Sequence, residues 1–153
     1  MEKKIIFKDF NNWKKLNTPQ HFSFYDYIFH QMNNGKINSD IYFAFAELFW
    51  PTFIFFKNYI ILKENFNEQK IDSLERENAN VEFWSNLILI EGYFEQDEDS
   101  DERSNSLSQI LIEIWKTKLL KDFPNHDFIV KSLENQTGDY GLSFYQKKYD
   151  DLK

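Results

Sequence analysis

The sequence contains no cysteine and has only four glycines and three prolines among its 153 residues. The lack of cysteine excludes a disulfide framework, a thiolate nucleophile and any cysteine-ligated zinc or iron–sulfur site. The glycines are Gly35, Gly92, Gly138 and Gly141, and their spacing excludes the glycine-rich loops that hold nucleotide phosphates. We therefore expect neither a bound nucleotide nor another cofactor.

Long hydrophobic runs are also missing. Charge interrupts the N-terminal segment 1–9 at once, which is not typical of a secretory signal. The most apolar stretch, residues 43–62, contains Glu47, Pro51 and Lys57, and it falls short of the roughly 18 apolar residues that a membrane span needs. The sequence predicts a cytoplasmic protein without a membrane partner.

Positive charge is scarce and dispersed. Residues 1–80 carry ten basic and ten acidic side chains, whereas residues 81–153 carry eight and fifteen, so the whole net charge of −7 belongs to the second half. An isoelectric point near 5.0 opposes contact with phosphates. We expect no nucleic-acid partner.

Seven acids lie within twelve residues of the second half. A dense anionic patch attracts basic proteins, so these acids are the candidate partner-binding residues, in a predicted acidic loop over 95–105. A calcium loop is an alternative, but the glycine and the distant glutamate of an EF-hand are missing. A solvated linker is the other alternative. The seven acids are Glu91, Glu95, Asp97, Glu98, Asp99, Asp101 and Glu102.

Helical spacing of apolar residues and capping residues predicts about five helices. Thr18-Pro19 favours the start of a helix that continues to Met32. Ser39, Asn67 and Asn80 are typical caps of three more, ending near Phe49, Asn78 and Glu91. The clearest helix begins at Ser104 or Ser106 and ends before Pro124. Residues 1–17 predict a short strand followed by a helical turn.

Two short strand pairs complete the predicted fold. Residues 52–56 and 59–62 are apolar and β-favouring, with two residues between them, which predicts a hairpin. A single bent strand is the alternative there. Alternating patterns at 127–131 and 142–145 predict a C-terminal hairpin. The expected fold is a mainly helical α+β single domain over residues 1–153.

Several residue sets could carry chemistry, and each has a simpler explanation. Asp26 and His30 lie four apart on a predicted helix and could share a metal ion, but such pairs more often face solvent, so we expect no metal site. The triplet 68–70 (Glu-Gln-Lys) matches the Glu-x-Lys pattern that nuclease-like catalysis requires on a strand, but it falls in a predicted helix. The serines of segment 104–108 lack the glycines of a nucleophile elbow, and capping explains them better. We expect no catalytic residues.

Aromatic residues make up 19% of the chain, and eight of them lie within residues 42–56. Helical spacing buries one face of this cluster, but all of the rings are hard to hide at once. An exposed remainder is typical of a partner surface or a homodimer interface. The eight are Tyr42, Phe43, Phe45, Phe49, Trp50, Phe53, Phe55 and Phe56.

Four segments within residues 40–95 resemble small bacterial proteins that follow the order helix, aromatic-Pro step, strand pair and two helices. These segments are Ala46–Phe53, Tyr59–Lys63, Val81–Glu82 and Asn86–Phe94. Proteins of this kind are similar to immunity proteins of polymorphic toxin and contact-dependent inhibition systems. The resemblance implies a cytoplasmic protein that blocks a cognate toxin, and it transfers no functional residue.

The leading hypothesis is a non-enzymatic immunity or antitoxin-type protein that covers a basic toxin domain, such as a nuclease. One alternative is a structural or adaptor protein that dimerises through its aromatic surface. A third is a small enzyme that brings together acids distant in sequence, such as Asp26, Glu47 and Glu82. Homodimerisation is compatible with the first two.

Overall fold

A computed structural model describes residues 7–35, 37–94, 98–134 and 140–152. The described residues form six α-helices and two small antiparallel sheets, which confirms a mainly helical α+β fold. The chain divides into two compact units, Met1–Ala46 and Glu47–Lys153. The expectation of one domain over residues 1–153 stays a prediction. None of the described helices is both long enough and apolar enough to cross a lipid bilayer.

The first unit contains α1 (Lys8–Leu16) and α2 (Phe24–Asn33). Aromatic rings join them: Phe10 stacks on Phe24 with centroids 4.1 Å apart, and Trp13 lies 5.3 Å from Tyr27. Phe10 is the one buried side chain among the described residues of this unit. The unit therefore has a thin aromatic core.

The predicted helix start at Thr18-Pro19 is wrong. Ser23 caps α2 instead, since its hydroxyl accepts from the Asp26 N–H while the Asp26 carboxylate accepts from the Ser23 N–H at 2.7 Å. This reciprocal pair satisfies the N–H groups of Ser23 and Asp26, for which the helix itself has no acceptors. The strand predicted at the start falls partly on residues outside the described ones, and the chain is already helical from Lys8.

The helix α3 (Asp40–Phe49) ends before Trp50-Pro51, and a hairpin of β1 (Phe53–Phe56) and β2 (Tyr59–Leu62) follows, as predicted. Lys57 takes a left-handed conformation with φ 55° in the two-residue turn. Its ammonium binds Asp72 at 2.8 Å and Glu75 at 2.7 Å, which fixes the turn on the next helix.

The helices α4 (Glu68–Arg76) and α5 (Val81–Ser85) begin at the predicted caps Asn67 and Asn80. The prediction that α5 continues to Glu91 is wrong. The chain instead forms β3 (Ile88–Leu89) and then a 3-10 turn, Glu91–Tyr93. Pairing of β3 with a strand more than fifty residues away supplies hydrogen bonds that helical spacing does not reveal.

The long helix α6 runs from Ser100 to Asp122. It begins earlier than the predicted Ser104 or Ser106, so the acidic loop predicted over 95–105 is helical from Ser100 onward. Asp101 and Glu102 lie in its first turn, where negative charge stabilises the positive end of the helix dipole. The same acids that suggested a loop therefore help this helix to start.

The strands β4 (Phe128–Glu134) and β5 (Tyr140–Gln146) form the predicted C-terminal hairpin, and β5 lies between β3 and β4. The α6 helix packs on this sheet through Leu111, Trp115 and Leu119, all buried. One face of the β1–β2 hairpin joins this core through Ile60 and Leu62. The other face packs in a smaller core with α4 and α5, formed by Ile61, Ile71 and Val81.

Candidate functional site

Five of the seven acids predicted to bind a partner belong to the described residues, in the Glu91–Tyr93 turn and around the start of α6, and this turn contacts α6. Glu91 is half-buried, and its Oε2 atom is buried without a hydrogen-bond partner. Two of the seven, Glu95 and Asp97, lie outside the described residues. Four of the described acids follow one another closely at the helix start: Glu98, Asp99, Asp101 and Glu102. We call these four and Glu91 the acidic end of α6.

Charged side chains and exposed apolar side chains lie close together in the sequence at this end of α6. Arg103 is the first basic residue after the acids, and its guanidinium lies 4.9 Å from the ring centroid of Phe94. Leu89 is 59% exposed and Tyr93 is 52% exposed, and both lie on the segment that leads to the acids. Exposed apolar side chains flanked by charge are typical of protein interfaces. The arrangement suits binding of a basic surface.

Asp26 and His30 have local partners. Two hydrogen bonds from Ser23 hold the pKa of Asp26 below its ordinary value. The His30 ring contacts the side-chain amide of Asn34 at 2.9 Å and lies 5.3 Å from the Trp13 ring. Among the described residues, no group of three acidic or histidine side chains could hold a metal ion. The Asp26 carboxylate thus caps the start of α2, and His30 contacts the residue that ends it.

The other sequence candidates also have structural roles. Glu68 lies in the first turn of α4, so its triplet is helical, as predicted. The serines predicted to cap a helix lie inside α6 instead, and Ser108 donates to the Ser104 carbonyl at 2.8 Å. Asp99 and Asp101 of the calcium-loop alternative belong to the start of α6.

The acids named for an enzyme pocket bind backbone groups or nearby side chains. Glu47 accepts from the N–H and hydroxyl of Thr52, both at 3.2 Å. Glu82 accepts from β2 and β5. None of the hydrogen bonds given to Asp26, Glu47 or Glu82 in the described residues involves a histidine.

Sequence reasoning missed the two largest fully buried polar side chains among the described residues of the second unit. Glu82 and Asn86, both fully buried, lie four residues apart at α5 and bind two separate sheets. Glu82 accepts the Ile60 N–H at 2.7 Å and the backbone and side-chain N–H groups of Gln146. Asn86 accepts the Leu62 N–H at 2.8 Å. We call Glu82 and Asn86 the α5 bridge.

The Asn86 amide completes the α5 bridge. Its Nδ2 donates to the carbonyls of Ile60 at 2.9 Å and Phe144 at 3.3 Å. The side chains of the α5 bridge thus take the place of a strand along the inner edge of β2. The signal in the sequence is three polar residues, Glu82, Ser85 and Asn86, within the largely apolar run 81–90, but nothing there shows that they face inward. The bridge joins the two sheets through their backbone groups.

Burial raises the pKa of Glu82 above its ordinary 4.5, against the opposing effect of its hydrogen-bond donors. The folded state therefore keeps a proton that the unfolded chain loses above pH 4.5. The stabilisation linked to this proton is fully present below pH 4.5 and is lost as the pH rises through the raised pKa.

We expect the unfolding free energy of the wild type, relative to that of Glu82→Gln, to fall as the pH rises above 4.5. Glutamine does not titrate, so the difference between the two proteins isolates this one group from the other acids. Urea unfolding of both proteins at a series of pH values measures it. A difference that rises with pH, or stays flat, would contradict a raised pKa.

The chain matches no family model, no curated protein and no solved structure at a significant level. The resemblance to immunity proteins therefore stays an expectation from the sequence.

Proposed function

We propose that this protein is a non-enzymatic cytoplasmic binding protein that covers a basic toxin domain, of the nuclease kind, as an immunity protein does. The observation that carries the proposal is the acidic end of α6. Of its five described acids, Glu91 lies in the Glu91–Tyr93 turn and Asp101 and Glu102 lie in the first turn of α6, and the other two directly precede the helix. Leu89 and Tyr93, in the segment before them, are exposed.

In this mechanism the charged side chains affect the association rate, and the apolar side chains affect the dissociation rate. The acids attract a basic partner over a distance and raise the association rate, which approaches about 10⁸–10⁹ M⁻¹s⁻¹ in strongly steered pairs at low salt. Tyr93 and Leu89 would enter the contact and slow dissociation, since buried aromatic and apolar anchors hold interfaces together. The start of α6 supplies a rigid base, because Ser104 and Ser108 are buried in the unit.

We expect the triple variant Glu98→Gln, Asp101→Asn and Glu102→Gln to associate with its partner about tenfold more slowly at low salt. The three side chains are exposed, so the variant loses three negative charges without opening a cavity, and far-UV circular dichroism checks that α6 still forms. Affinity capture from the source cells with wild type and variant, read by mass spectrometry, identifies the basic protein that the wild type retains in larger amount than the variant. Stopped-flow mixing with that purified protein, across a salt series, then gives the rates.

A matched control removes three charges elsewhere: Glu64→Gln, Glu68→Gln and Asp151→Asn, all at exposed positions. It has the same net charge as the test variant, so a general charge effect would slow both equally. Equal rates and equal salt slopes for wild type and test variant would remove the acidic end of α6 from the mechanism.

The adaptor alternative rests on exposed aromatic rings. Of the eight rings within residues 42–56, Phe43 is 75% exposed and Phe55 is 57% exposed, whereas Phe49 and Phe53 are half-buried. These exposed rings favour a further protein contact. They are compatible with an immunity protein that self-associates.

A further inference from the structure

The outer edge of β1 has no neighbouring strand among the described residues, because the hairpin forms a sheet of two strands only. The inner edge belongs to β2 and is occupied by the α5 bridge. Burial follows the same division. Ile60, Ile61 and Leu62 of β2 are buried, whereas no residue of β1 is. The β1 strand is therefore the side of the hairpin open to a partner.

The alternation of hydrogen bonds along the hairpin shows which backbone N–H and C=O groups point to the outer edge of β1. The Lys63 N–H donates to the Thr52 carbonyl at 2.9 Å, so Thr52 and Lys63 are a hydrogen-bonded pair. Such pairs alternate along an antiparallel ladder, so Ile54 also turns its N–H and C=O toward β2. Phe53 and Phe55 turn theirs outward. Ile60 and Leu62, which lie opposite Phe55 and Phe53, follow the same alternation, because their N–H groups point away from β1 and donate to the α5 bridge.

The outer edge of β1 that can pair ends at a specific residue at each end of the strand. Pro51 has no N–H to offer, and the left-handed Lys57 ends the extended backbone. Two N–H and two C=O groups remain, placed symmetrically about Ile54. Charged side chains and proline are two features that keep edge strands from pairing with other chains, and the segment Phe53–Phe56 has neither.

We propose that the outer edge of β1 pairs antiparallel with β1 of a second copy of this chain. The two-fold axis passes between the two Ile54 residues, and Phe53 of each copy lies opposite Phe55 of the other. Four backbone hydrogen bonds form, and the two hairpins become one four-stranded sheet. Phe55, exposed in the single chain, gains an aromatic cross-strand partner.

A second copy fits this edge better than a longer strand from another protein. The edge is its own complement, since each copy offers two donors where the other offers two acceptors. A longer strand would extend beyond Pro51 and the Lys57 turn, where β1 has no further edge groups to pair with it. The contact uses residues far in sequence from the acidic end of α6, so it goes beyond the proposed toxin binding and does not depend on it.

Sedimentation equilibrium of the full chain, from micromolar to near-millimolar concentration, tests the proposal. We expect the mass to rise from 18.6 kDa to twice that value for the wild type. Phe55→Pro removes one outward N–H of each copy without touching the ladder to β2, so this variant should stay monomeric. The matched variant Phe55→Ala keeps the N–H and loses only the ring, and it should dimerise more weakly than the wild type.

Amide hydrogen exchange locates the contact. In the wild type at high concentration we expect the Phe53 and Phe55 amides to exchange about tenfold or more slowly than in dilute solution. The Ile54 and Phe56 amides, which bond within the hairpin, should be protected at both concentrations. This measurement decides the question even where Phe55→Pro does not fold. A wild type that stays monomeric, a Phe55→Pro variant that dimerises fully, or exchange at Phe53 and Phe55 that ignores concentration would each overturn the proposal.

Discussion

Replacing Glu82 by alanine should lower the unfolding free energy of the second unit by about 4 kcal/mol, since each buried N–H group left without an acceptor costs about 1–3 kcal/mol. The carboxylate accepts the backbone N–H groups of Ile60 and Gln146 in a fully buried site. Loss of the side chain also leaves a cavity beside them. The variant would loosen the connection between the two sheets.

Urea unfolding at pH 7, followed by far-UV circular dichroism, measures the effect of Glu82→Ala. Glu64→Ala is the matched control, because Glu64 is an exposed glutamate in the neighbouring 3-10 turn. A change within about 0.5 kcal/mol is expected for that control. A loss below about 1 kcal/mol for Glu82→Ala would show that the α5 bridge holds the sheets only weakly.

Local signals in the sequence predicted the elements that local chemistry decides. Asn67 caps α4 because its side chain accepts the Lys70 N–H at 2.9 Å, and this needs only neighbours in the chain. The β1–β2 hairpin follows from two apolar runs around a two-residue turn. The seven acids could be named from the sequence for the same reason, because a run of charge is visible without a fold.

Elements that depend on distant residues could not be predicted. Leu87 and Ile88 continue the helical spacing of α5, yet Ile88 pairs with Leu142 of β5, and Leu89 pairs with Gly141. Gly141 permits this approach, because a Cβ there would lie 3.0 Å from a side-chain carbon of Leu87. Neither the pairing nor the close contact is visible in segment 81–91 alone.

The same distinction applies to the candidate site. The sequence shows that Glu82 and Glu98 are acidic, but only the fold shows that one is fully buried and the other exposed. Burial makes Glu82 a structural residue and raises its pKa. Exposure leaves Glu98 able to meet a partner. The charge of each acid could therefore be predicted from the sequence, whereas its burial, and with it its structural role, could not.

Trp115 should be the most costly apolar residue to remove. It is 1% exposed, packs edge-on against Phe144 with ring centroids 6.0 Å apart, and donates its indole N–H to the Leu48 carbonyl at 2.8 Å. Trp115→Ala leaves a large cavity between α6 and β5, so the unfolding free energy should fall by about 3–5 kcal/mol. Trp115→Phe fills most of the cavity and should lose about 1–2 kcal/mol, chiefly because the Leu48 carbonyl loses its donor.

Thermal and urea unfolding of Trp115→Ala and Trp115→Phe, beside Trp84→Ala, separates burial from residue type. Trp84 is 43% exposed, so the same truncation there should cost about 1 kcal/mol or less. Equal losses at Trp84 and Trp115 would contradict a core centred on α6. A large loss at Trp115 alone, reduced in Trp115→Phe, would show that this helix and the end of α3 are held together by one ring and one hydrogen bond. The same rigidity fixes the direction in which α6 presents Asp101 and Glu102, the two acids of its first turn.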